Sequence, residues 1–139
     1  MKKNEPISQI MSKDLVTVHH GDPFSAVRKK AQEHGVHHIP VVCGKDLVGM
    51  ISWTDIMRVS FGDAFNQDAR SVDATLDHMF KLEDIMCKDP VSVQVTSSVR
   101  DAAEILSKST FHSLPVCNGK ELVGLVTTTD LIRYLRSQM

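Results

Sequence analysis

Ser52 and Asp55 stand three residues apart, where an apolar run gives way to a helical pattern. Thr127 and Asp130 stand in the same relation, with every position displaced by 75. A carboxylate can accept two hydrogen bonds from a vicinal diol. A hydroxyl beside the free N–H groups of a helix start can hold a phosphate. The pairing therefore suits a sugar and its phosphate. The same residues also suit a helix cap, the hydroxyl as N-cap and the acid complementing the dipole. A lone Ser-x-x-Asp favours the cap. Its repetition favours a site.

The elements that must position these corners are repeated with them. Val41–Asp55 (VVCGKDLVGMISWTD) returns as Val116–Asp130 (VCNGKELVGLVTTTD), and residues 85–133 restate 10–58 without a gap. Seventeen of the 49 paired positions are identical, Arg58/Arg133 and Asp55/Asp130 among them. In the first copy, Pro6 opens a short helical turn over residues 5–12, and Leu15–Val18 reads as a strand. Asp22-Pro23 starts a helix whose Phe24, Val27 and Ala31 form an apolar face, and Gly35 ends it. Ile39–Val42, a Cys43–Asp46 turn and Leu47–Ser52 make a hairpin, and Thr54–Ser60 is a second helix. The unit is β-α-β-β-α. In the second copy Ser97 or Ser98 caps the first helix, with Val99, Ala102, Ala103 and Leu106 on one face. The domains are expected at 7–60 and 82–136. The linker at 61–81 is polar over Gly62, Asp63, Asn66, Gln67 and Asp68, then helical through Leu76, Met79 and Phe80. Leu82–Met86 echoes Ile7–Met11 and leads into the second copy. The last helix, Asp130–Met139, carries Leu131, Ile132, Tyr134 and Leu135, an apolar excess that suggests a subunit contact.

Composition narrows the classes. The chain has 139 residues, 42% hydrophobic and 24% charged, with a net charge of −1. No clustered basic face points to nucleic acid. No apolar run approaches the roughly 18 residues of a membrane span, and the start lacks the apolar core of a secretory signal. Cys43, Cys87 and Cys117 are odd in number and lack metal-ligand spacing, which reads as reduced thiols in a cytoplasmic protein. Cys117, on a strand, is expected in the core.

The closing motifs Gly49–Asp55 and Gly124–Asp130, the openings Ile10-Met11 and Ile85-Met86, and His37-His38-Ile39-Pro40 with His112-Ser113-Leu114-Pro115 resemble those of CBS domains. Two gapless copies resemble the tandem pair called a Bateman module. The resemblance implies an α/β (α+β) fold in which two β-α-β-β-α repeats pack by pseudo-two-fold symmetry. It implies a regulatory module, not an enzyme, that needs no cofactor. Such a module binds AMP, ADP, ATP or S-adenosylmethionine between its repeats and passes a conformational change to a partner. Ser52 and Asp55 would serve one site, and Thr127 and Asp130 the other. In this family the Asp accepts from the ribose hydroxyls, and strands near Thr17 and Ser92 offer backbone groups to adenine. His37, Pro40, His112 and Pro115 flank the sites. His38 and Ser113 stand where phosphate-holding members carry Arg or Lys, so Lys13 and Lys88 are the alternative cations. The resemblance also implies a homodimer.

Other constellations are weaker. There is no nucleophile elbow and no phosphate-binding glycine loop. Seven histidines raise a metal site. His19-His20 and His37-His38 are adjacent pairs, however, and strand alternation sends neighbours to opposite faces. No metal ligation is expected. A ligand-free structural or oligomerisation module is the alternative function.

Overall fold

The computed structural model describes residues 4–61, 77 and 80–139. Most of the 61–81 linker, with Gly62, Asp63, Asn66, Gln67, Asp68, Leu76 and Met79, lies outside the described residues. The chain divides into two compact units. The first is Val16–Pro90; the second joins the residues up to Leu15 to Val91–Met139.

In the first unit, strand β1 (Val18–His19) runs parallel to β2 (His38–Cys43). A tight turn returns β2 antiparallel to β3 (Asp46–Ser52). Helix α1 (Phe24–His34) links β1 to β2, and α2 (Trp53–Phe61) follows β3 directly. Helix α3 (Leu82–Ile85) and strand β4 (Cys87–Lys88) complete the unit, β4 pairing antiparallel with β3. The predicted face of α1 is buried at Phe24, Val27 and Ala31, and meets Ile39, Val41 and Ile51 of the sheet. Gly35 ends α1 at φ 61°, a left-handed conformation that L side chains resist. Asp22 does not cap this helix. Pro23 holds the N-cap position, and the Asp22 carboxylate instead accepts the His19 N–H at 2.9 Å. Asp77 supplies the missing cap, accepting from the Ser25 N–H at 2.8 Å and hydroxyl at 2.6 Å.

The second unit repeats this plan. Strand β5 (Val93–Gln94) is parallel to β6 (Ser113–Asn118), which pairs antiparallel with β7 (Glu121–Thr127). Helices α4 (Val99–Ser107) and α5 (Thr128–Ser137) correspond to α1 and α2. The registers agree position for position: Val41↔Gly49 matches Val116↔Gly124, and a bulge falls after Val41 and after Val116. Ser98, one of the two expected caps, accepts the Asp101 N–H at 3.1 Å. Ala103 is exposed rather than on the buried face, and Ile105 packs on the core in its place. Cys117 is buried as expected, and burial pushes its thiol pKa up.

Each core contains a segment that the repeat boundaries do not suggest. Leu82, Ile85 and Met86 pack in the first unit, with Phe24 and Ile51. Ile7, Ile10 and Met11 pack in the second, with Leu114 and Val126. Ile7, in the 3-10 turn Ile7–Gln9, is fully buried. Ser12 bridges Leu125, the counterpart of the Cys87↔Met50 pair. Leu82–Met86 thus precedes the second copy in sequence but completes the core of the first.

The glycines of the two hairpins mark where these segments lie. A Cβ on Gly49 would stand 2.9 Å from Met86 Cγ, and one on Gly124 would stand 2.9 Å from Met11 Cγ. Only hydrogen leaves room for the crossing methionine. Among the described residues no helix is long and apolar enough to cross a membrane.

Candidate functional site

Strand β3 ends at Ser52 and helix α2 begins on the next residue, so hydroxyl and acid meet across the first turn. The Asp55 Oδ2 accepts from the Ser52 N–H at 3.0 Å and from its hydroxyl at 2.9 Å. Ser52 Oγ in turn accepts the Asp55 N–H at 3.2 Å. The corner of the second unit is built alike. Asp130 Oδ2 accepts the Thr127 N–H at 2.9 Å, and Thr127 Oγ1 accepts the Asp130 N–H at 3.1 Å. Both corners are reciprocal capping boxes, which hold the side chains in fixed orientations. The capping reading is therefore realised at both corners, through one carboxylate oxygen of each acid.

The second oxygens differ. Asp55 Oδ1 accepts from the Arg58 guanidinium at 3.2 Å. Among the described residues Asp130 has no cation partner within ion-pair distance, although Arg133 is the counterpart of Arg58. Asp130 and Arg133 instead border an open hollow of about 380 Å³, with Glu5, Gln9, Tyr134 and Ser137. The Tyr134 hydroxyl is buried and has no hydrogen-bond partner among the described residues. The sequence pattern counts Tyr134 with the apolar residues of the last helix and marks Arg58 only by its identity with Arg133.

The remaining predicted residues fall around the corners by strand register. His38 pairs with Ser52, and Ser113 with Thr127. The carbonyls of His37 and His112 accept the N–H groups of Trp53 at 2.7 Å and Thr128 at 3.0 Å. These histidines hold the starts of α2 and α5 through backbone, with exposed rings. Ser113 is buried, as are Pro40 and Pro115. The Thr17 carbonyl, offered above for adenine, accepts from the Lys30 ammonium at 2.7 Å. Ser92 is exposed. Of the predicted residues of the second unit, Asp130 alone borders the hollow beside α5.

Lys13 and Lys88 change sides. Each precedes a repeat's first strand in sequence, yet Lys13 belongs to the second unit and Lys88 to the first. His19 and His20 also depart from expectation. The strand ends at His19, so alternation does not extend to His20, and the ring centroids lie 4.4 Å apart.

Comparison with known proteins identifies this architecture. The CBS domain family model matches residues 7–62 and 82–137. An inosine-5'-monophosphate dehydrogenase of Korarchaeum cryptofilum is 29% identical over 120 residues, 86% of this chain and 22% of that protein. The chain spans 32% and 48% of two Methanocaldococcus jannaschii relatives. A CBS domain-containing protein of Dictyostelium discoideum is 28% identical over 131 residues, covering 93% of this chain and 90% of that one. Among solved structures, CBSX2 in complex with AMP superposes with a TM-score of 0.80 at 20% identity, over 97% of this chain and 99% of that one. The CBS domain pair of protein MJ0100, with 5'-methylthioadenosine and S-adenosyl-L-methionine, gives 0.77 at 23% identity, over 98% and 99%. The α+β fold is that of a CBS pair, and the chain belongs to the CBS domain family, of which it carries two tandem copies.

Proposed function

We propose that the chain is a regulatory module, not a catalyst, that binds an adenosine-containing nucleotide and relays its presence to a partner protein. The second unit is its principal site. The observation that carries this reading is the state of Asp130. Its Oδ2 is fixed by the Thr127 cap, which orients the carboxylate and leaves Oδ1 to accept from a ribose diol. The unpartnered Tyr134 hydroxyl borders the same hollow and offers a further polar contact. CBSX2 with AMP and the MJ0100 pair with S-adenosyl-L-methionine share the fold and supply the ligand class. Neither His38 nor Ser113 is the Arg or Lys that would hold a phosphate firmly, which favours AMP over a triphosphate. A ligand regulates only through its differential affinity for two states.

Thermal-shift and calorimetric titration with AMP, ADP, ATP and S-adenosylmethionine tests this. A ligand at one hundred times its Kd stabilises by about 2.7 kcal/mol. Asp130→Asn is expected to remove most of that gain, and Asp55→Asn less. Silence towards all four ligands would support the ligand-free structural module instead. That reading has its own observation, since the capping boxes alone account for both hydroxyls.

The module is further proposed to pair with a second copy through α5 and α2. On α5 Ile132 is 66% exposed and Leu135 44%, and on α2 Met57 is 44% exposed, apolar side chains that association would cover. Sedimentation at micromolar concentration should give a dimer; a monomer there rejects this arrangement.

A further inference from the structure

We propose that His19, His20 and Cys43 form a binding site for a zinc-class divalent cation in the first unit, separate from the Ser52–Asp55 corner. One ligating atom from each of the three lies within 4.8 Å of the others. The backbone brings them together. The parallel register sets His19 against Val42, and the His20 N–H donates to the Val42 carbonyl at 2.9 Å, beside Cys43. Asp22 holds the His19 backbone N–H at 2.9 Å, and the Gly21 N–H donates to His19 Nδ1 at 3.2 Å. Capture of a metal by the His19 ring gives up that one long bond. Glu83 Oε1 lies 3.8 Å from His20 Nδ1. A carboxylate at that distance is within reach as a further ligand or as an outer partner of the bound imidazole.

The donor set names the cation class. Two imidazoles and a thiolate suit zinc, whose sites take three protein ligands and a fourth from water or a carboxylate. Zinc bonds of about 2.0–2.3 Å place tetrahedral ligands roughly 3.4 Å apart. Side-chain rotation of about an ångström at each ligand closes the present separation to that value. His19 and Cys43 are exposed, so the cation has access.

The second unit shows that the fold does not need these residues. Gln94, Val95 and Asn118 occupy the three equivalent positions. There Gln94 closes the corner by hydrogen bonds to the Gly119 N–H at 2.9 Å and carbonyl at 3.1 Å. All three donors are present in one copy and absent from the other.

Cobalt(II) added to the untagged, reduced, metal-free full chain is the probe. Stoichiometric binding with a thiolate-to-cobalt charge-transfer band is expected, and one equivalent of zinc should displace the cobalt. Cys43→Ser should abolish the band, and Cys87→Ser, which removes the other exposed thiol, should leave it. Glu83→Gln should weaken zinc by up to about 100-fold. The triple exchange His19→Gln, His20→Val and Cys43→Asn installs the residues that the second unit already folds with. It should keep the circular dichroism of the parent and lose the metal. No charge-transfer band at stoichiometric cobalt overturns the proposal, as does a band that survives Cys43→Ser or zinc affinity that survives the triple exchange.

Discussion

In the first unit Asp55 engages both oxygens, one with Ser52 and one with Arg58. In the second, Asp130 engages one with Thr127 and turns the other towards no cation among the described residues. The arginines are identical in the repeat and the acids are identical. What differs is the pairing of an exposed side chain: the Arg58 side chain is 67% exposed. Exposed ion pairs of this kind contribute roughly 0–1 kcal/mol. The lesson is that duplication preserves the backbone corner and its cap, while the availability of the acid is set by a weak, local contact. A ligand that needs the carboxylate meets a small penalty at Asp55 and none at Asp130.

The comparison can be broken most strongly through the cores. Ile7→Ala and Leu82→Ala each remove a fully buried side chain and should cost about 2–5 kcal/mol. The informative readout is where the loss falls. Hydrogen exchange should accelerate in the second unit for Ile7→Ala and in the first for Leu82→Ala. The opposite pattern would refute the assignment of those segments. Next in size are the corners. Thr127→Ala and Ser52→Ala each delete a cap and should cost about 1 kcal/mol by denaturant titration. Equal losses would confirm that the corners are mechanically equivalent despite their different ion pairing.

The smallest effect concerns the helices that follow β1 and β5. Helix α4 carries its own cap, Ser98 with Asp101, whereas α1 depends on the distant Asp77. The Ser98 N–H and hydroxyl hold the Asp101 carboxyl below the usual carboxylate range. A depressed folded-state value means that this contribution is present above the unfolded pKa and is lost as pH falls through the folded one. Ser98→Ala should flatten that acid limb of stability slightly. An unchanged limb would show that the Ser98 hydroxyl contributes nothing measurable to it, leaving the backbone N–H as the cause.

Much of this architecture was legible in the residues. The gapless 75-residue displacement carried the strand registers, because pairing with period 2 allows no slip without exposing Val41 or Val116. The Ser-x-x-Asp and Thr-x-x-Asp corners were legible because a capping box is a local signature. The home of Leu82–Met86 was not. Its apolar spacing fits either of two nearly identical cores, and its place at the head of the second repeat does not tell which one it packs in. Nor was the His19-His20 pair legible. Alternation holds only inside a strand, and β1 stops one residue earlier than that argument required.

The crossing of the leading segments also fixes an order of assembly. The first unit is contiguous, so its core can close once the chain has emerged through Pro90. The second contains both Ile7 and Val126 in one core. That core stays incomplete, whatever its local propensities, until the chain through Val126 exists, and it closes a far longer loop than the first. During synthesis Ile7 is made before the rest of its core and waits for Leu114 and Val126 to join it.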